Sequence, residues 1–229
     1  LGKLTDLPTF KEKVRENPKN VNYGLVGYPV LMAADIALYR ADLVPVGIDQ
    51  APHIEFARET VRSFNFRYNT NALVEPKEKF TEFPKIMGID GVNKMSKSLN
   101  NDIEIAASDA ETSARVMQMV TDPARQRRSD PGNPDVCNVF SLHKIFTPAE
   151  KVEEINVECR RAGIGCVDCK KILAAKMNAY FAPLREKRRE FEKNPAATGD
   201  MLREGATLAS ALAKEAFQVV RGPFGFPGA

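Results

Sequence analysis

The sequence lacks the features that mark membrane proteins, secreted proteins and polycations. It contains no apolar run near the roughly eighteen residues that a membrane helix needs, and it does not start with a charged segment followed by an apolar one. Its 33 basic and 30 acidic residues leave a net charge of only +3. We therefore expect a cytoplasmic globular protein with no membrane partner, in which any RNA contact depends on local basic patches.

Internal repeats and low-complexity segments are also missing. The 229 residues suffice for one large or two small domains, and 43% hydrophobic residues suffice for a core. Strand-like runs give way to helical periodicity near residue 102, which predicts an α/β fold with a parallel sheet followed by an all-α domain. The helices predicted for the second region span residues 104–121, 138–146, 148–162, 167–193 and 198–221. Residues 222–229 contain too many Gly and Pro residues for a helix and are predicted to form a tail.

The segment Lys94-Met95-Ser96-Lys97-Ser98, called the lysine loop below, places two lysines and two hydroxyls in five residues. Turn-forming residues flank it at 90–91 and 100–101, so we predict a mobile loop. Such a loop can close over phosphates and stabilise the negative charge that develops when a carboxylate attacks an α-phosphate. A basic surface loop is the alternative interpretation.

The run Leu43–Gly47 is short, apolar and ended by glycine, which is typical of a buried parallel strand. Asp49 and Gln50 follow its carboxyl end, where ligands bind in open α/β sheets. A helix is predicted from Pro52 to about Phe64, and its first N–H groups would face the same crevice. Asp49 could instead be an ordinary helix cap.

A helix is also predicted from Pro29 to about Tyr39. Its Asp35 has apolar residues one turn before and one turn after, so the carboxylate lies on an apolar helix face. A buried carboxylate needs hydrogen-bond donors. An indole ring suits this position because its nitrogen can only donate, while Arg40 or a lysine could pair with Asp35 in a purely structural role.

All four cysteines lie in the second region, with the spacing C-x21-C-x6-C-x2-C. Four sulfurs fit one four-coordinate centre. Zinc sites made only of cysteine usually show two close pairs, whereas this pattern has one, so it favours a [4Fe-4S] cluster, with zinc or buried free thiols as the alternatives. The candidate ligands are Cys137, Cys159, Cys166 and Cys169.

Two groups of basic residues could contact RNA. Arg125, Arg127 and Arg128 lie in a loop between prolines and are candidates for phosphate contact. A second group, between Arg185 and Lys193, alternates with glutamates, so a solvated helix with internal ion pairs explains it equally well.

The segments Tyr28-Pro-Val-Leu-Met-Ala-Ala-Asp35, Gly47-Ile-Asp-Gln50 and the lysine loop resemble those of the bacterial tryptophanyl-tRNA synthetases, a class I family. The resemblance runs from about Thr9 to about residue 221. It implies half of a Rossmann-like catalytic domain at 1–102, and a helical anticodon-binding domain at 103–221. It also implies ATP with Mg, tryptophan and its tRNA as substrates, and a homodimer. The cysteine spacing is similar to that of a subset that carries a [4Fe-4S] cluster in the anticodon-binding domain.

The resemblance also implies residue roles. Asp35 would accept the indole N–H, Tyr28 and Gln50 would hold the charged end of the amino acid, and the pocket would be lined by Met32, Val44 and Val46. The ATP ribose would meet Gly47, Ile48 and Asp49, and the adenine would meet the backbone of Ile86 and Met87. The ATP phosphates would be bound by Lys94, Met95, Ser96, Lys97 and Ser98, of which Lys94, Lys97 and Ser98 would act in catalysis.

Some features depart from the family pattern. The chain has no His-Ile-Gly-His motif and starts at Leu1, so we expect an N-terminally truncated form that is inactive alone. Ile48 stands where many relatives have an acidic residue, and Leu99 stands where Asp is usual. A non-catalytic fragment that binds tRNA or senses redox state is the alternative. A tyrosine-specific synthetase is disfavoured by the Leu-Met-Ala-Ala-Asp run.

Overall fold

The computed structural model describes residues 2–83 and 85–224, which form nine α-helices and two short strands. The first region contains α1 (Gly2–Thr5), α2 (Pro8–Glu16), α3 (Tyr23–Leu38), β1 (Leu43–Pro45), α4 (Ala51–Arg67) and β2 (Lys77–Lys79). The second contains α5 (Asp109–Gln118), α6 (Asn138–Phe146), α7 (Ala149–Arg160), α8 (Cys166–Lys193) and α9 (Pro195–Phe224). Short 3-10 turns lie at Pro18–Asn20, Ile48–Gln50, Lys97–Leu99 and Pro134–Val136.

The two strands form a parallel pair, with Leu43 opposite Lys77 and Pro45 opposite Lys79. Helix α4 lies in the connection, as a parallel crossover requires. The predicted parallel sheet is therefore confirmed. The predicted burial of the strand is wrong, because the side chain of Leu43 is 55% exposed. Only these two strands pair in the described part of the chain, so the other edge of β1 has no strand beside it there.

The described chain divides into two compact units. The first unit contains residues 2–83 and 199–224, and the second contains residues 85–198. The first has a small core between α3 and α4, formed by Ala33, Ile36, Ile54 and Ala57. The second has a larger core, which includes Val116, Leu142, Leu173, Met177 and Phe181. The assignment of residues 103–221 to an anticodon-binding domain is not tested by this packing and stays a prediction.

Helix α3 begins six residues before the predicted start at Pro29. The Asn22 side chain accepts a hydrogen bond from Leu25 N–H at 3.1 Å and so caps the helix. Pro29 lies inside the helix and is buried. The prediction failed because Gly24 and Gly27 look like helix breakers, whereas packing of α3 against α4 outweighs their weak propensity.

Helices α6, α7 and α8 lie where they were predicted, but α5 and α9 differ. Helix α5 begins later than expected because Ser108 and Glu111 form a reciprocal capping box. Helix α9 begins at Pro195, three residues before its predicted start at residue 198, and contains Gly199, since one glycine costs a helix only about 1 kcal/mol.

The C-terminal tail is described only as far as Phe224. Residues 222–224 are helical, which corrects the prediction of a non-helical tail at these positions. The Phe224 ring packs against Phe64 and Tyr68, with ring centroids 5.6 and 5.0 Å apart. The rest of the predicted tail, 225–229, lies outside the described residues. None of the described helices is long and apolar enough to cross a membrane.

Candidate active site

Helix α3 carries Tyr28, Met32 and Asp35 on one side, because residues four and then three positions apart follow each other along a helix face. The Asp35 side chain is exposed. The prediction of an indole partner assumed a buried Asp35 carboxylate, and this carboxylate is not buried in the described chain. The helical spacing that aligns Asp35 with Tyr28 and Met32 is present.

The three predicted apolar lining residues converge on one cluster. Met32 reaches it from α3, Val44 from β1, and Val46 from the segment that follows β1. All three are partly buried against the core between α3 and α4. The structure thus brings together side chains that are up to fourteen positions apart in the sequence.

Asp49 and Gln50 end a short 3-10 turn just after β1, as the position past a strand end predicts. The Gln50 side-chain amide donates a hydrogen bond to the Asp49 carboxylate at 2.8 Å. Helix α4 starts directly afterwards, with Pro52 in its first turn. The residue that caps this helix is Gln50, without a side-chain cap bond, so Asp49 is not the plain helix cap that was the alternative.

Sequence reasoning missed two residues that support Tyr28. The Tyr28 hydroxyl lies 2.7 Å from Nε2 of His53 and 3.2 Å from the hydroxyl of Thr9, which is itself 3.1 Å from the same nitrogen. His53 is 1% exposed, and its Nδ1 has no partner among the described residues. Burial lowers the pKa of His53, against a smaller opposing effect of Asp49, and so favours the neutral ring. The sequence could have indicated His53 only through its position, three residues after Gln50.

The lysine loop is paired with the segment predicted to meet adenine. Met87 and Lys94 form an antiparallel bridge, and Met95 N–H donates to the Ile86 carbonyl at 2.9 Å. The structure therefore brings Ile86 and Met87 beside the start of the loop. Both were identified from separate stretches of sequence.

The outer part of the lysine loop is exposed. Lys97 begins a 3-10 turn, and 84% of its side chain is accessible, with Nζ 3.9 Å from a Glu104 oxygen. The Ser96 and Ser98 hydroxyls lie 2.8 Å apart. Such a distant, exposed ion pair contributes little, so Lys97 can turn to a phosphate at small cost.

The base of the lysine loop is more ordered than the prediction of a mobile loop suggests. Asp90 accepts hydrogen bonds from the backbone of Val92 and Asn93 and from the side chain of Asn101. These bonds, the one from Asn101 first, lower the pKa of Asp90 from 3.8 to about 2. Residues 100–101 were expected only to form a turn, so the role of Asn101 was missed.

The four cysteine sulfurs lie in one neighbourhood of the second unit. Burial, followed by the electrostatic effect of the other three sulfurs, raises the pKa of Cys169 to about 12. Burial also raises the pKa of Cys137 and Cys159, with Cys166 adding to both. The four are free thiols, and within the described chain no three His, Cys, Asp or Glu side chains are arranged to hold a metal ion. The predicted ligands are near one another without forming a metal centre.

Two of the three loop arginines proposed for RNA contact are used inside the protein. Arg125 donates to the carbonyl groups of Arg128 and Ile164, and its Nη1 lies 3.8 Å from the Cys159 sulfur. Arg128 donates to the carbonyl groups of Ala162 and Gly163 at 2.6 and 3.0 Å. These side chains hold the turn between α7 and α8 and are poorly placed to bind phosphate.

Comparisons with known proteins agree on one family. The family described as tRNA synthetases class I (W and Y) matches residues 1–182. The tryptophan–tRNA ligase of Deinococcus radiodurans is 42% identical over 227 residues, which covers 99% of this chain and 68% of that protein. The tryptophan–tRNA ligase of Aquifex aeolicus is 44% identical over 206 residues, which covers 90% of this chain and 52% of that protein. The chain thus spans about half to two thirds of these relatives.

Solved structures give the same likeness. Tryptophanyl-tRNA synthetase from Campylobacter jejuni, complexed with ADP and tryptophan, superposes with a TM-score of 0.80 at 33% identity and covers 98% of this chain and 69% of that one. A tyrosyl-tRNA synthetase from Archaeoglobus fulgidus reaches a TM-score of 0.58 at 20% identity, covering 81% of this chain and 59% of that one, and shows a shared fold alone.

Proposed function

We propose that this chain serves in the ATP-dependent activation of tryptophan and its transfer to tRNA. The proposal starts from its family, because the chain belongs to the tryptophanyl-tRNA synthetases of class I. The observation that carries this proposal is the convergence of Met32, Val44 and Val46 on the α3–α4 core, with Gln50 at the start of α4. Relatives named tryptophan–tRNA ligase support the choice of amino acid.

The reaction needs little from side chains beyond position and charge. The tryptophan carboxylate attacks the α-phosphorus of ATP, the bond to the β-phosphate breaks, and pyrophosphate leaves as tryptophanyl-adenylate forms. Lys94 and Lys97 would stabilise the charge that grows on the leaving pyrophosphate, together with Ser98. Mg bound to ATP belongs to the substrate. Positioning the two reactants supplies much of the remaining rate.

The amino acid would be held at both ends. Asp35 would accept the indole N–H, while Tyr28 and Gln50 would contact the charged end of tryptophan. Gly47, Ile48 and Asp49 would meet the ribose, and Ile86 and Met87 the adenine. Ile48 cannot supply the charged contact of an acidic residue, so the ribose would depend more on Asp49.

Tryptophan binding and pyrophosphate exchange test this function. The chain contains no tryptophan, so fluorescence excited beyond the absorption of its five tyrosines reports the added tryptophan alone. We expect binding of tryptophan in preference to tyrosine and, in a form extended to the full length of its relatives, exchange of pyrophosphate into ATP that depends on tryptophan. Equal binding of tyrosine would contradict the substrate. Tryptophan binding without exchange would favour the non-catalytic alternative.

We also propose that Cys137, Cys159, Cys166 and Cys169 hold a [4Fe-4S] cluster, with zinc as the alternative. The four sulfurs share one neighbourhood of the second unit, and they would have to rearrange to hold the cluster. As thiolates they would tie α6 and α7 to the start of α8, and the bound cluster would supply a structural staple or an electron-transfer group. Anaerobic purification with iron, sulfide and zinc analysis tests the site. Four irons would support the cluster, one zinc the alternative, and no metal would leave ordinary thiols.

The remaining partners belong to the same proposal. A synthetase acts with tRNA in the cytoplasm, where its products are used. A homodimer would need an apolar surface, and α3 exposes Tyr23, Val30 and Leu31. Light scattering would measure the oligomeric state, and a monomer at micromolar concentration would count against the dimer.

A further inference from the structure

Asn101 lies at the base of the lysine loop, and only 3% of its surface is exposed. Its Oδ1 accepts a hydrogen bond from Ser96 N–H at 2.7 Å. Its Nδ2 donates to the Asp90 carboxylate at 2.9 Å and to the Lys94 carbonyl at 3.3 Å. One side chain therefore ties the first and third residues of the loop to the turn that precedes it.

These three partners require an asparagine. The Ser96 backbone offers only a donor, whereas the Asp90 carboxylate and the Lys94 carbonyl offer only acceptors. The side chain at position 101 must therefore present one acceptor and two donor hydrogens from the same point. Aspartate has the right shape but no donors when ionised, and it would place a second carboxylate 2.9 Å from Asp90.

The backbone around Asn101 is built for this close contact. A Cβ atom on Gly88 would lie 2.1 Å from Nδ2 of Asn101, so only glycine leaves room for the amide. The Gly88 carbonyl in turn accepts a hydrogen bond from Asn138 at 2.7 Å. On the other side of Asn101, Arg115 donates to the carbonyl groups of Asn100 and Asp102 at 2.6 and 2.9 Å. The end of the loop is thus held on both sides.

We infer that Asn101, paired with Asp90, is a positioning residue that fixes the base of the lysine loop and so holds Lys94 and Lys97 ready for the phosphates of ATP. It touches the backbone of the loop and not the reacting atoms. The ATP part of this inference rests on the proposed function, whereas the fixing of the loop does not.

Limited digestion with trypsin measures the loop directly, because trypsin cleaves after exposed lysines. We expect Asn101→Asp to raise the cleavage rates after Lys94 and Lys97 about tenfold or more, since a buried acceptor pair loses its donors. Cleavage after Lys151, in α7, should stay unchanged and so exclude general unfolding. The matched control is Asn93→Ala, which removes another hydrogen bond to Asp90 without touching the loop, and which should leave cleavage within about twofold.

A charge swap keeps the inference testable if the single variant folds poorly. The double variant Asp90→Asn with Asn101→Asp restores one donor and one acceptor across the pair, and we expect it to regain most of the protection. Unchanged cleavage in Asn101→Asp, or a swap no better than the single variant, would overturn the inference.

Pyrophosphate exchange, measured in a form extended to the full length of the relatives, separates this inference from the proposed function. In Asn101→Asp we expect kcat to fall about tenfold, with the KM for tryptophan within about twofold of the parent value. A parent protein that shows no exchange would refute the proposed activity, while the cleavage rates would still decide whether Asn101 holds the loop. Equal effects on kcat and on the KM for tryptophan would contradict a role confined to the loop.

Discussion

The two regions predicted to bind substrates differ in how much of their stabilisation is polar. The amino-acid region between α3 and α4 is placed mainly by apolar packing, in which Met32, Val44 and Val46 contact one small core. The lysine loop packs only Met95 against the core of the second unit, and hydrogen bonds of Asp90 and Asn101 hold its base. Packing tolerates volume-conserving changes, whereas a buried polar network depends on every donor and acceptor. We therefore expect single polar substitutions to affect the loop and the amino-acid region in different ways.

The largest effect is expected from Lys97→Ala, which should slow the reaction at the lysine loop without weakening tryptophan binding in the amino-acid region. In a full-length form of the protein, Lys97→Ala should lower the rate of tryptophanyl-adenylate formation about a hundredfold, because one positioned group that stabilises transition-state charge is worth roughly that much. The affinity for tryptophan should change less than about twofold, since Lys97 acts on phosphate. Pre-steady-state exchange and ligand fluorescence measure the two quantities.

Lys151→Ala, in helix α7, is the matched control for the loss of one lysine. It should leave both quantities at the parent values. If Lys97→Ala weakened tryptophan binding as much as it slowed the reaction, the division between the two regions would be lost.

A smaller effect is expected from Asp35→Asn. The amide still offers an acceptor but loses the charge, so tryptophan should bind about tenfold more weakly, while ligands without an indole N–H should be unaffected. Asp42→Asn, an exposed carboxylate just before β1, provides the control. An unchanged preference for tryptophan would show that Asp35 has no part in selecting the substrate.

The His53 contact predicts a pH effect confined to the amino-acid region. The neutral ring can accept a hydrogen bond from the Tyr28 hydroxyl, which leaves the Tyr28 oxygen free to accept from the ammonium group of tryptophan. Burial lowers the pKa of His53 below 6.5, with Asp49 opposing this effect, so the ring should protonate only at more acidic pH. Protonated Nε2 would donate to the same oxygen and compete with the ligand.

Tryptophan affinity should therefore fall about fivefold as the pH drops through the lowered pKa of His53, which corresponds to roughly one hydrogen bond. His53→Gln should remove this pH dependence, and Thr9→Val should keep it. Folding stability should follow the same direction: it is complete above pH 6.5 and declines as the pH falls, because the unfolded chain binds the proton more readily. A binding profile that stays flat from pH 7 down to the pH at which the protein unfolds would contradict the role of His53.

The sequence predicted those structural features that depend on residues close by in the chain. The parallel strand pair, the turn with Asp49 and Gln50, and helices α6 to α8 follow from apolar runs, prolines and glycines close by in the chain. It was uninformative where distant residues meet. Thr9 reaches Tyr28 across nineteen positions, and Arg125 reaches Ile164 across thirty-nine. A local pattern contains no signal for such contacts, which explains why the arginines were taken for phosphate ligands.

The smallest expected effect concerns the titration of Asp90. Its pKa of about 2 means that the carboxylate stays ionised in the folded loop well below its usual 3.8. The stabilisation of the loop should therefore be complete above 3.8 and be lost as the pH falls toward 2. Asn101→Ala should raise this pKa more than Asn93→Ala does, because the bond from Asn101 has the larger effect. Carbon-detected NMR of the Asp90 carboxyl measures both shifts. Equal shifts would mean that the turn before the loop, and not the pair with Asn101, keeps the Asp90 carboxylate ionised. The lysine loop would then depend less on that one polar pair, and its contrast with the amino-acid region would be smaller.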